Sequence, residues 1–113
     1  MAIIKRYCGL PILEVHNGVI KEYCGLPIYE LNGSTLKIYC GLPAYEIRGD
    51  QIKVYCGLTT LEMVGNKLKR YCGPYVAEIV GDKIKAYCGP YLYEIQGFLS
   101  HHELMAVLAI LFD

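Results

Sequence analysis

Apolar and polar residues alternate along this chain in short runs, and the runs recur every sixteen residues. In Tyr45-Glu46-Ile47-Arg48-Gly49-Asp50-Gln51-Ile52-Lys53-Val54-Tyr55-Cys56 the alternation holds on both sides of Gly49-Asp50. Period-two alternation rich in β-branched and aromatic residues, broken by Gly-Asp, predicts strand, two-residue turn, strand. The turn recurs as Asn17-Gly18, Gly33-Ser34, Gly65-Asn66 and Gly81-Asp82. Asn-Gly favours a type I′ turn, and Gly followed by Ser, Asp or Asn favours type II′. The triplet Tyr-Cys-Gly begins at Tyr7, Tyr23, Tyr39, Tyr55, Tyr71 and Tyr87 with no insertion between copies. A fixed period of this length marks copies of one supersecondary unit.

A two-residue loop fixes the register. It sets Arg48 opposite Gln51, Ile47 opposite Ile52, Glu46 opposite Lys53 and Tyr45 opposite Val54. The same rule pairs Glu14 with Lys21, Glu30 with Lys37, Glu62 with Lys69 and Glu78 with Lys85. Opposite charges directly across a hairpin are mildly stabilising, and their repetition reads as a solvated face. The second connection, Cys-Gly-Leu-Pro or Cys-Gly-Pro-Tyr, is another turn, with Gly to release the backbone and Pro to stop the ladder. The chain is therefore expected to be an antiparallel meander of about twelve short strands, such as Ile3–Cys8, Pro11–His16 and Val19–Cys24. Alternation assigns Ile20, Cys24, Leu31, Leu36, Ile38, Cys40, Tyr45, Ile47, Ile52, Val54 and Cys56 to the core face. The other face takes the Glu–Lys pairs, the Tyr of each triplet and a smaller apolar position such as Ile28 or Val76.

After Gly97 the period breaks. Ser100-His101-His102-Glu103 is a capping box, and Leu104–Phe112 follows without a polar residue. A helix apolar on every side is buried on every side. Twelve strands about 4.8 Å apart, tilted about 40°, close into a barrel of radius roughly 12 Å, wide enough for one axial helix. The expected fold is mainly β: six sixteen-residue hairpin repeats over residues 1–97, curled around a buried helix in 98–113, as a single domain. The alternatives are a β-solenoid of one coil per repeat, capped by the helix, and an open sheet completed by a second subunit.

Twelve strands ending in the apolar helix Leu104–Phe112 resemble the tubby-like and phospholipid-scramblase-like barrels, whose C-terminal helix fills the barrel. The resemblance spans nearly the whole chain in element order and implies that fold. Tubby-like barrels bind phosphoinositides through basic surface residues. No matching cluster stands in this sequence, so that activity is not implied.

Charge narrows the function. Eleven basic and eleven acidic residues cancel and are spread through every repeat, leaving no basic stripe for nucleic acid. Hydrophobic residues make up 54% of the chain, so it must bury a large core or hide a face in an oligomer. The first residues show no signal peptide, and the longest apolar run is far short of the roughly 20 residues of a bilayer span. A cytoplasmic protein with no integral membrane segment is expected. Each of the six cysteines holds the same repeat position, which reads as one core slot used six times. Equivalent cysteines would lie two strands, about 9.6 Å, apart, beyond the ~7 Å reach of a disulfide.

Departures from the repeat are the candidate binding residues. The slot of Ile38, Val54 and Ala86 holds Arg6, Glu22 and Arg70 elsewhere. Such charges must pair, sit at a barrel mouth or mark a polar pocket. His101 and His102 open the helix, about 100° apart on it. There is no phosphate loop, nucleophile elbow or zinc-protease motif. The sequence thus points to a non-enzymatic binding or scaffold module without a cofactor, acting on a protein partner or on itself through a Tyr-rich outer face. The competing reading is a thiol or metal protein using Cys8, Cys24, Cys40, Cys56, Cys72 and Cys88, since thiolate and imidazole suit zinc.

Overall fold

A computed structural model of the chain describes residues 2–112. Met1 and Asp113, the ends of the expected domain and helical segment, lie outside the described residues. The strands are β1 (Ala2–Arg6), β2 (Pro11–His16), β3 (Val19–Glu22), β4 (Pro27–Asn32), β5 (Thr35–Ile38) and β6 (Pro43–Arg48). They continue as β7 (Gln51–Val54), β8 (Thr59–Val64), β9 (Lys67–Arg70), β10 (Tyr75–Val80), β11 (Lys83–Ala86) and β12 (Tyr91–Gly97). Among the described residues one helix follows, α1 (His101–Phe112).

The tight hairpins form as their sequences dictate. Asn17 and Gly18 both have positive φ, 50° and 81°, the type I′ pattern. At the other four turns only the glycine is positive, as in Gly33 at 65° with Ser34 after it, the type II′ pattern. The register follows: Glu46 lies opposite Lys53, Ile47 opposite Ile52, Arg48 opposite Gln51 and Tyr45 opposite Val54.

The second connection departs from expectation. Strands stop at Arg6, Glu22, Ile38, Val54, Arg70 and Ala86, two residues before the predicted ends, and Tyr-Cys enters a turn. The Gly25 N–H donates to the Glu22 carbonyl at 2.9 Å. Cys24, third in this turn, has φ 55°, and the other five cysteines match it within 54–57°. Positive φ in the third position is the type II signature, so cysteine, and not the following glycine, takes the left-handed conformation. Glycine is needed for a different reason: a Cβ on Gly25 would sit 3.0 Å from the Glu22 Cβ.

All six cysteines are therefore free and exposed, and the core-slot assignment is corrected. Alternation fails there because it presumes continuous strand, and the chain has already turned. Ile38 and Val54 are also corrected, being 51% and 41% exposed at the strand ends.

Beyond each of these turns the ladder slips by one residue. Ile20 faces Tyr29 while Lys21 faces Pro27, leaving Ile28 as the extra residue of a bulge. The same shift occurs in the other five connections of this type. A bulge bends its strand and increases twist, and six of them curl a sheet of four- to seven-residue strands on itself. Closure is explicit: β1 pairs antiparallel with β12, with Ile4 opposite Ile95 and Lys5 opposite Glu94. Every strand has two antiparallel neighbours, so the solenoid is excluded and no edge is left unpaired.

Inside, Ile4, Ile20, Leu36, Ile52, Leu68 and Ile84 form one fully buried tier, the same position in six hairpin arms. Met105–Ala109 of α1 are buried against that wall. Fully burying a Met, Val or Leu contributes about 1.5–3 kcal/mol, so the helix is the common core of all six repeats. No polar or charged residue is buried among the described residues. The principal-axis extents are 37 × 33 × 18 Å, the proportions of a disc.

Candidate functional site

The disc has two unlike rims. One carries the tight turns, with Asn17, Ser34, Asp50, Asn66 and Asp82 at their tips, and receives the N-terminus of α1. The capping box is made as its sequence predicts: the Ser100 N–H donates to Glu103 Oε1 at 3.0 Å, and the Glu103 N–H to Ser100 Oγ at 3.3 Å. Glu103 Oε2 also accepts from the Gly18 N–H at 3.2 Å, tying the helix to the β2–β3 turn. His101 Nε2 lies 2.9 Å from the Gly49 carbonyl oxygen and 3.5 Å from Asp50 Oδ1. The two histidines stand ring to ring at 6.1 Å, both exposed. Their place follows from the polarity of this rim, and His101 is one more strap between helix and turn.

The opposite rim is made by the six Tyr-Cys-Gly turns. Leu10, Leu26, Leu42 and Leu58 project there, 77–83% exposed, and Pro74 and Pro90 occupy the same position in the last two copies. Arg6, Glu22 and Arg70 are exposed at the strand ends beneath. They sit at the barrel mouth, where a charged group at a strand end keeps its contact with water. Arg70 donates to the Phe112 carbonyl at 3.4 Å, meeting the C-terminus of α1. Round the ring the slot order is Arg6, Glu22, Ile38, Val54, Arg70 and Ala86. Repeats three and four thus form an uncharged sector between an acid and a base.

Between the rims runs a belt of ion pairs. The Lys–Glu distances are 3.3 Å for Lys21–Glu14, 3.5 Å for Lys37–Glu30 and 3.3 Å for Lys53–Glu46. They are 3.8 Å for Lys69–Glu62 and 3.7 Å for Lys85–Glu78. Lys5–Glu94, at 3.7 Å, completes the belt across the closing seam. Hydrogen bonding from Lys53 holds the Glu46 carboxyl below the usual carboxylate range; desolvation opposes it, and the Arg48 charge adds a lesser lowering. The triplet tyrosines stand 40–46% exposed above the belt. Where Tyr replaces Pro they stack, Tyr7 on Tyr91 at 5.1 Å and Tyr87 on Tyr75 at 4.9 Å.

Two shallow grooves lie on this wall. One, about 560 Å³, is lined by Arg48, Gln51, Lys53, Leu58, Thr59 and Tyr71, and the other, about 490 Å³, by Glu14, His16, Asn17, Val19 and Lys21. Neither sets a nucleophile beside a base.

The sequence-derived candidates do not converge. Arg6, Glu22 and Arg70 share one rim, whereas His101 and His102 lie at the other end of a twelve-residue helix, roughly 18 Å away at 1.5 Å per residue. Among the described residues no three His, Cys, Asp or Glu side chains are grouped to hold a metal ion. The metal reading of Cys8, Cys24, Cys40, Cys56, Cys72 and Cys88 therefore loses its geometric basis. The leucine rim was missed because alternation assigns faces only within strands. Its signal was a leucine directly after the turn glycine, followed by Pro in three copies and by Thr59 in the fourth, in a turn that no sheet face can cover. No described helix is long and apolar enough to cross a membrane. No protein-family model, curated protein or solved structure matches this chain.

Proposed function

We propose that this protein is a non-enzymatic binding or scaffold module whose working surface is its exterior, above all the tyrosine belt and the leucine rim. The observation that carries this reading is the contrast between inside and outside. The interior is filled by the apolar tier and the helix, and among the described residues no polar side chain is buried there. Four leucines and six tyrosines are meanwhile left in water on one side of the disc. Clustered exposed apolar groups mark interaction surfaces, and tyrosine suits them through a broad ring and a polar tip.

The six exposed cysteines are native reporters of that surface. Their alkylation by a maleimide is compared between intact cells expressing the full chain and dilute purified protein. A working rim is covered in the cell, so the thiols there should react at least tenfold more slowly. Equal rates at all six positions in both settings would overturn the proposal.

A further inference from the structure

We infer that the outer wall from β9 round to β1 docks a proline-rich segment held as a polyproline II helix. The inference rests on the exterior-surface reading and gives the tyrosine belt a partner by its chemistry.

This sector differs from the rest of the wall at one repeat position. That position is Pro11, Pro27 and Pro43 in the first three copies, Thr59 in the fourth, and Tyr75 and Tyr91 in the last two. Each added tyrosine meets a triplet tyrosine across the next hairpin, Tyr75 on Tyr87 at 4.9 Å and Tyr91 on Tyr7 at 5.1 Å. Both stacks have the same interplanar angle, 26°, and the four tyrosines remain 38–40% exposed. The Lys69 ammonium lies 6.0 Å from the centre of the Tyr75 ring, and that of Lys85 lies 5.9 Å from the centre of Tyr91. The sector is thus one aromatic stack beside one cation, built twice, one repeat apart.

Spacing selects the ligand. One repeat is two strands, about 9.6 Å. A polyproline II helix has three residues per turn and rises about 3.1 Å per residue, so residues i and i+3 share a face about 9.3 Å apart. Prolines three residues apart therefore meet successive stacks, and the match has to hold over a single step. Aromatic-lined surfaces take this helix because it is ordered before it binds.

Hydrogen bonding points the same way. Proline has no N–H, and the carbonyls of a polyproline II helix have no internal partners. Such a segment brings acceptors alone and needs donors. The ammoniums of Lys69 and Lys85 each face one carboxylate oxygen, at 3.8 and 3.7 Å, and each carries three N–H groups. The four phenols add O–H donors. Acceptors are scarcer. Glu94 Oε1 already serves Lys5 at 3.7 Å and the Cys8 N–H at 3.4 Å, and Glu78 Oε1 serves Lys85. A glycan, whose hydroxyls must donate as well as accept, is matched less well.

The probe is deca-proline, acetylated and amidated at its ends, added to the full chain while the tyrosine rings are followed by NMR. Tyr7, Tyr75, Tyr87 and Tyr91 should shift together. Tyr39 and Tyr55, which follow β5 and β7 away from this sector, should not. Tyr75→Thr with Tyr91→Thr supplies the residue that the fourth copy carries as Thr59, so the barrel is retained. That variant should keep its melting temperature and bind deca-proline at least tenfold more weakly. Thr59→Tyr should add a third stack, with Tyr71, and tighten binding of a longer oligoproline severalfold. A peptide of alternating Pro and Gly, which cannot present prolines three residues apart, should bind at least fivefold more weakly than deca-proline.

Undiminished binding by the double threonine variant, or shifts spread evenly over all the triplet tyrosines, would overturn the proposal. Binding of cellohexaose in place of deca-proline would give the stacks to a glycan and overturn it too. Deca-proline that fails to bind while the rim thiols are protected in cells would sink the peptide and leave the binding-module reading standing.

Discussion

At the scale of single residues, two neighbours in each triplet turn are constrained for different reasons. Cys24 holds φ at 55°, where a side chain costs roughly 1–2 kcal/mol and only Gly, Asn and Asp are at ease. Gly25 has ordinary φ but no room, its Cβ position being 3.0 Å from the Glu22 Cβ. Cys24→Asn is therefore expected to keep or slightly raise the melting temperature. Cys24→Val should cost about 1–2 kcal/mol, because β-branched residues tolerate positive φ worst. Gly25→Ala should cost about 1 kcal/mol through overpacking. Denaturant melts of the three variants check this, and equal stability of Val and Asn at position 24 would contradict it. Nothing in the fold explains why these six turns carry cysteine in place of asparagine.

At the scale of elements, the hairpins are aligned by their ion-pair belt and held by their apolar tier. Exposed pairs contribute little to stability, so Lys53→Met should leave the melt nearly unchanged while altering one titration. Lys53 is the main reason that Glu46 titrates low, so its removal should raise the Glu46 midpoint more than Arg48→Ala does. Carboxyl NMR measures both. The sign follows from the lowered folded-state pKa: the pair stabilises above the unfolded carboxylate range, and that contribution is lost as pH falls through the midpoint of folded Glu46. A larger shift from Arg48→Ala would reverse the assignment of cause.

At the scale of the molecule, α1 decides whether the ring exists. Leu108 is fully buried, so Leu108→Ala should cost about 2–5 kcal/mol. Leu108→Asp should prevent folding, since an unpaired buried charge exceeds what a domain with about 5–15 kcal/mol can absorb. Truncation after Gly97 removes the shared core and should leave an aggregating or unfolded chain. Circular dichroism and sizing test it: a truncated monomer with a cooperative β-rich melt would show that the ring closes without its helix.

What the sequence determined by itself are the features set by local chemistry. The two-residue turns fixed φ and register, the register fixed the Glu–Lys belt, and the apolar run after the capping box fixed a buried helix. A residue's neighbours within a few positions decide these things, so a single repeat suffices to read them. Closure was expected only from the strand count and from a helix apolar on every side. The tertiary structure made it explicit by pairing β1 with β12 and setting Lys5 against Glu94 across the seam. It also decided what lies beyond the strand ends. The six bulges, the left-handed cysteines and the bare leucines depend on where a strand stops, and that is set by the curvature of the closed ring. Alternation carries no information about curvature, so the sequence placed the cysteines in the core and overlooked the rim.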